Sequence, residues 1–221
     1  DLTGYLFSCS ENFLDSLSIL LNFVQNPYFT DETVKKEQGI IGQEIRMYDD
    51  DPNWRVMFNL LKAMYYNHPV NVDIAGTVES IAKITPESLY KCYNTFYNPS
   101  NMALCISGNF NIDEVMNLIE KTIKNNNKKV EFENIFPKEP LNVVNKRVVQ
   151  EFEISSPMFE LGFKEDPKDK RASTTELAYT SIILEAIASK SSKLYKKLLD
   201  EKLINTSSFS YEYFEGPGYR S

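Results

Sequence analysis

Prolines at positions 27, 52, 69, 86 and 99 punctuate the first hundred residues and confine the helices to the stretches between them. A proline ring fixes φ and removes an amide donor, so it opens a helix at its first turn or stops one. Between these marks, apolar residues recur at helical spacing. Phe13, Leu14, Leu17, Leu20, Leu21 and Val24 form an amphipathic run that Asn26-Pro27 ends. Thr30 and Asp31 are caps for a second helix, predicted to run to about Tyr48, where Asp49-Asp50-Asp51-Pro52 breaks it. Pro52 suits the first turn of a third, with Trp54, Met57, Phe58, Leu61, Met64 and Tyr65 on one face. Thr85-Pro86-Glu87 opens another, predicted to continue to about Phe96.

The remaining pattern mixes helices with short apolar runs. Helices are predicted over 112–123, 174–188 and 193–199. Residues 4–8, 102–107, 148–154, 158–163 and 207–214 read as strands, the last because Phe209, Tyr211 and Tyr213 alternate with polar neighbours. Strands and helices do not alternate regularly, so the expected class is α+β, a mixed sheet with helices packed on one face in two layers. From Asn125 to Leu141 the pattern dissolves into Asn-Asn-Asn-Lys-Lys, isolated aromatics and two prolines, a linker composition. The expected organisation is a domain over 1–128, a linker over 129–145 and a second domain beginning at 146 and running to 221.

Composition narrows the function classes. With 31 acidic against 24 basic side chains, the net charge of −7 argues against nucleic acid and anionic membranes as partners. No apolar run approaches the roughly 20 residues that span a bilayer, and Asp-Leu-Thr-Gly-Tyr is no signal peptide. Cys9, Cys92 and Cys105 are an odd number without metal-type spacing, set among apolar or aromatic neighbours. They read as reduced core residues of a cytoplasmic protein, because structural disulfides are rare in reducing compartments. Sequence alone also suggests a chain cut at both ends.

The second helix carries the most informative pattern. At about 100° per residue, and with Val34 as zero, Ile45, Ile41, Tyr48, Ile40 and Met47 spread from roughly +20° to −140°. Glu37 and Glu44, two turns apart, fall inside that arc at about −60° and −80°, while Lys35, Lys36, Gln43 and Arg46 lie on the far side. A buried, unpaired carboxylate loses several kcal/mol to desolvation or becomes neutral. Three forms of compensation fit: a buried ion pair, solvent at a cleft edge, or a bound cation.

The stretch from Glu37 through Glu44 to Asp49-Asp50-Asp51-Pro52 resembles the insulinase/pitrilysin (M16) zinc peptidases, and in particular a bacterial, M16B-like subgroup. Residues 23–30, 68–80 and 96–102 agree in order and spacing, and the likeness is looser over 145–221. The resemblance implies a mononuclear zinc site built from two histidines and a catalytic glutamate on an inverted His-x-x-Glu-His motif, with a further glutamate ligand downstream. On that match Glu44 corresponds to the zinc-ligating glutamate and Glu37 to a supporting acid one helical repeat earlier. Residues 1–128 would then be the C-terminal part of the zinc-bearing domain, and 146–221 the start of a related one. The implied activity is endopeptidase cleavage by a zinc-activated water, acting on peptides or small unfolded proteins, in a single chain or a homo- or heterodimer with another M16-type chain.

One departure is decisive: the sequence has a single histidine, His68, and no His-x-x-Glu-His motif. This chain alone is therefore expected to bind no zinc and to be inactive. The expectation is a fragment whose motif lies upstream of residue 1, the alternative a non-catalytic partner or scaffold subunit. His68, before Pro69, reads as a loop residue rather than a ligand. The Asp49–Asp51 run reads as capping, Gly216-Pro217-Gly218 lacks the Lys-Ser/Thr of a phosphate loop, and Trp54, Phe58 and Tyr65 read as core or interdomain packing.

Overall fold

In the computed structural model, residues 2–124, 131, 133, 135–166, 168 and 170–221 are described. The helices follow the proline marks. They are α1 (Phe13–Gln25), α2 (Asp31–Asp49), α3 (Pro52–Met64), the single turn α4 (Val78–Ile81), α5 (Pro86–Phe96), α6 (Ile112–Thr122), α7 (Thr174–Ala188) and α8 (Lys193–Asp200). Except at α1, their starts are set by side chains that accept from free first-turn amides. Asp51 accepts from the Asn53 amide at 2.8 Å and so caps α3, while Asp49 pairs with Arg55 at 3.0 Å. Thr85 with Ser88, and Ser173 with Glu176, close reciprocal capping boxes on α5 and α7.

The chain divides into two compact units, each discontinuous in sequence: Asp1–Gln43 with Thr77–Glu133, and Glu44–Gly76 with Asn134–Ser221. In the first, α1 lies against α6, with Leu17 and Val115 buried. Polar ties lock the helices where their apolar faces meet. The Tyr93 hydroxyl donates to the Val24 carbonyl at 2.7 Å, and the Gln25 side chain donates to the Thr122 carbonyl at 3.2 Å.

The second unit is built on α3. Phe58, Leu61, Met64 and Tyr65 form its core, enclosed by Trp54, Met57, Leu60, Val70, Val143, Phe214 and Tyr219. The Trp54, Phe58 and Tyr65 stripe read from sequence is thus core. At Gly162 the chain passes so close to α3 that an added Cβ would meet Met64 Sδ at 2.4 Å. A short antiparallel hairpin, β1 (Glu215–Gly216) with β2 (Tyr219–Arg220), covers the far end. Its turn needs Gly218, whose φ of 82° is left-handed and whose missing Cβ would sit 3.1 Å from the His68 ring.

Three groups, an acid, a base and a ring, hold this unit together. The Glu139 carboxylate accepts from three consecutive amides, Tyr66 at 2.8 Å, Asn67 at 2.7 Å and His68 at 2.9 Å. Lys164 completes it at 2.6 Å, donates also to the Met64 carbonyl at 2.8 Å, and stands 4.8 Å over the Tyr65 ring. Both charged side chains are 1% exposed. Burial pushes the Glu139 carboxyl up, but Lys164 and the three amides outweigh it and hold it below the ordinary carboxylate range.

Three expectations need correction. No mixed sheet is present among the described residues, where the hairpin is the only ladder, so the structure is mostly helical. Residues 4–8, 102–107, 148–154, 158–163 and 207–214 carry strand-like sequence but no ladder. A strand is stable only beside neighbours that satisfy its amides and carbonyls. The stretch expected as a linker over 129–145 is described only in part, but its residues 135–145 belong to the second unit, where the buried Glu139 anchors them. Cys9, Cys92 and Cys105 are free but exposed rather than core, Cys9 and Cys105 lying in stretches that take no ladder and Cys92 on the outer side of α5.

Candidate functional site

On α2 the buried side is rotated from the one the apolar pattern indicates. Val34, Gly42 and Ile45 are buried and Gln38, Ile41 and Tyr48 half-buried, a face from about −40° to +80° on the same wheel. Small Gly42 and amphipathic Gln38 were not counted as inward, yet the Gln38 amide donates to the Ile81 and Ile84 carbonyls at 3.1 and 2.9 Å. Ile40 and Met47 are exposed instead, and so are Glu37 and Glu44. Both carboxylates are open to solvent rather than buried in an ion pair.

The two glutamates differ in surroundings. Glu37 lies in the part of α2 that belongs to the first unit and makes no side-chain hydrogen bond or ion pair among the described residues. Glu44 opens the second unit, and its Oε1 accepts from the Tyr48 hydroxyl, one turn on, at 3.1 Å. No cation pairs with Glu44 among the described residues. The Glu44 carboxylate in turn pushes the Tyr48 hydroxyl above its usual value, first through that hydrogen bond and then through its charge. Tyr48 stacks on Trp54 with ring centroids 4.5 Å apart and planes 22° from parallel. The Trp54 indole N–H donates to Asp73 Oδ2 at 2.8 Å, and Asp73 Oδ1 accepts from the Ala75 amide at 3.0 Å. Sequence reasoning placed Trp54 correctly but missed Tyr48 as the partner of Glu44. The signal was available, since residues four apart on a helix are neighbours.

His68 is not a loose loop side chain. It is 4% exposed, its Nδ1 accepts from the Val70 amide at 3.1 Å, and its Nε2 lies 3.0 Å from the Pro217 carbonyl. A carbonyl only accepts, so Nε2 carries the proton and both ring nitrogens are engaged. Burial pulls the imidazole below its ordinary value, opposed by the Pro217 carbonyl and the Glu139 charge. The ring has no lone pair left for a metal.

Zinc in a hydrolytic centre needs three convergent protein ligands. Among the described residues no group of three His, Cys, Asp or Glu side chains is arranged to hold a metal ion. Glu44 is exposed and has no cationic partner among the described residues, which supply no complete ligand set. Among the described residues no helix is long and apolar enough to cross a membrane.

Residues 1–78 match the family model described as insulinase (peptidase family M16), and residues 83–219 match the one described as peptidase M16 inactive domain. The uncharacterized zinc protease YmfH of Bacillus subtilis is 40% identical over 98% of this chain and 51% of its own length. An M16-like peptidase from Alicyclobacillus acidocaldarius, solved by crystallography, superposes with a TM-score of 0.83 at 37% identity, over 95% of this chain and 50% of its own. A Helicobacter pylori protease shares the fold at 19% identity, with a TM-score of 0.69 over 95% of this chain and 50% of that one. The chain therefore spans about half the length of these relatives. It belongs to the M16, or insulinase, peptidase family.

Proposed function

We propose that this chain is part of a zinc-dependent endopeptidase and that its own contribution to the metal centre is a single carboxylate, Glu44. The observation that carries this reading is the state of Glu44: exposed, without a cation, and within the stretch that matches the peptidase model. The naming of relatives as zinc proteases supports zinc as the metal. A zinc ion in such a centre activates a water for attack on a peptide carbonyl. The histidine ligands would come from residues outside this sequence. Glu37, two turns earlier on α2, supports the centre through its charge.

Peptides or small unfolded proteins are the substrates this reading implies, held partly by main-chain pairing along a strand edge, with loose sequence preference. A homo- or heterodimer with another M16-type chain fits the same reading, as does a cytoplasmic place for free, exposed thiols.

The test uses the product of the complete gene. Glu44→Gln should lower zinc content and peptide turnover together, with the circular dichroism spectrum retained. Unchanged values of both would remove Glu44 from the centre. The 221-residue chain alone, dialysed against zinc and then analysed by atomic absorption, should retain far less than one equivalent of tightly held metal. Tight one-to-one binding would mean that a ligand set exists within it.

A second reading has its own observation: most of the chain matches a model described as inactive. On that reading the protein is a non-catalytic partner or scaffold. Absence of a His-x-x-Glu-His motif from the complete gene would establish it and end the peptidase reading.

A further inference from the structure

We propose that Tyr48 is a positioning residue that fixes the direction of the Glu44 carboxylate, holding Oε1 so that Oε2 is presented outward to a cation. This rests on the reading of Glu44 as a metal ligand. It assigns a second residue to that corner of the centre.

The need is physical. A glutamate on an exposed helix face turns freely about three side-chain bonds, and a ligand must adopt one conformation of them. Ordering a glutamate side chain costs conformational entropy. A partner that orders it beforehand removes that cost from the binding step. On α2 no salt bridge does so. Tyr48 does: its hydroxyl reaches Oε1 at 3.1 Å from the next turn.

A hydroxyl orders a carboxylate only if its own ring is held, and the structure holds it from the core outward. Phe58, in the buried cluster of the second unit, lies 5.0 Å from Trp54. Trp54 is pinned by its indole N–H on Asp73, and Asp73 by the amide of Ala75. Tyr48 stacks on the pinned indole. The sequence arranges this across the helix break: Asp51 caps α3 and Pro52 starts it, which sets Trp54 in the first turn of α3 opposite the last turn of α2. The carboxylate is thus referred back to the rigid core through two rings and three hydrogen bonds, all within one unit.

Tyr48→Phe keeps the stack and removes only the hydroxyl. In the product of the complete gene, its dissociation constant for Zn²⁺, measured by chelator competition, should rise about 10- to 100-fold, as it does when hydrogen-bond partners of metal ligands are removed. Trp54 emission and the thermal midpoint should not move. Glu44→Gln should weaken zinc further, and adding Tyr48→Phe to it should have no additional effect. If Tyr48→Phe leaves zinc affinity unchanged while Glu44→Gln reduces it, the positioning role is wrong and the ligand reading stands. If Glu44→Gln changes nothing, both fall.

A readout without metal exists in the 221-residue chain. With ¹³C at glutamate Cδ and the Glu44 signal assigned by its loss in Glu44→Gln, its chemical shift at neutral pH should move in Tyr48→Phe. A Glu44 signal indifferent to Tyr48→Phe overturns the proposal.

Discussion

Glu139→Ala is expected to destabilise the second unit by about 3–5 kcal/mol, the usual cost of breaking a buried ion pair from one side. The change strands the Lys164 ammonium, 1% exposed, and leaves the amides of Tyr66, Asn67 and His68 without their acceptor. The desolvation of these groups, rather than the strength of the lost attraction, sets the size of the effect. Replacing both partners, as Glu139→Leu with Lys164→Met, should therefore cost less than Glu139→Ala alone. Trp54, the one tryptophan of the sequence, belongs to the same unit, so its emission during urea unfolding measures this directly. An unaltered urea midpoint in Glu139→Ala would show that the pair is not buried in solution. The same group sets the acid limit. Because the folded Glu139 carboxyl is held below its unfolded value of 4.5, the unfolded chain binds the proton more readily. Its stabilisation is present above that value and is lost as pH falls through the folded one. His68 acts in the same direction and earlier. Its folded value lies below the ordinary 6.5, so its contribution begins to fall once pH drops beneath 6.5.

Tyr65→Ala is expected to cost a comparable amount, about 3–5 kcal/mol, by opening a cavity where the largest fully buried side chain now sits. The ring is 1% exposed, meets Tyr219 edge-on at 6.1 Å and lies under Lys164. Burial pushes its hydroxyl up to about 12, so it is neutral across the working range of pH. Tyr65→Phe keeps the ring and separates packing from the hydroxyl. Because Tyr65 and Glu139 share Lys164, the double variant should depart from the sum of the singles. Strict additivity in urea titrations would mean that the ring and the ion pair act independently.

The helices were legible because their signals are local. A cap, a proline at the first turn and a 3.6-residue period lie within a dozen residues, and α2, α3, α5 and α7 begin within a residue or two of where these predict. The sheet was not legible as built, because a strand depends on partners distant in sequence. Residues 148–154 and 158–163 have the composition of strands, but composition does not reveal whether a neighbour is present. The site was legible in part. Glu44 and Glu37 were found on the correct helix, but their burial was misjudged because Gly42 and Gln38 face inward while Ile40 and Met47 face out. Hydrophobicity alone orients a helix only when all its neighbours are apolar. Glu139 escaped notice because it sits in a proline-bearing, low-pattern stretch, where a charged residue normally means solvent. Only its three amide donors reveal otherwise.

Phe159, Leu161 and Phe163, at 80%, 73% and 73% exposure, alternate along one stretch that takes no ladder, while Gly162 between them turns toward Met64. For the isolated chain this has a colloidal meaning. A row of period-2 apolar side chains beside unpaired main-chain groups is the pattern by which one molecule adheres to the next, edge to edge. What opposes adhesion is long-range repulsion from the net charge of −7, and that repulsion vanishes near the isoelectric point of about 4.9. Glu139 and His68 lose their stabilising protonation states over the same descent in pH. Acid thus removes the repulsion between molecules and the internal clamp of each in one sweep, so solubility and folding share a single lower boundary.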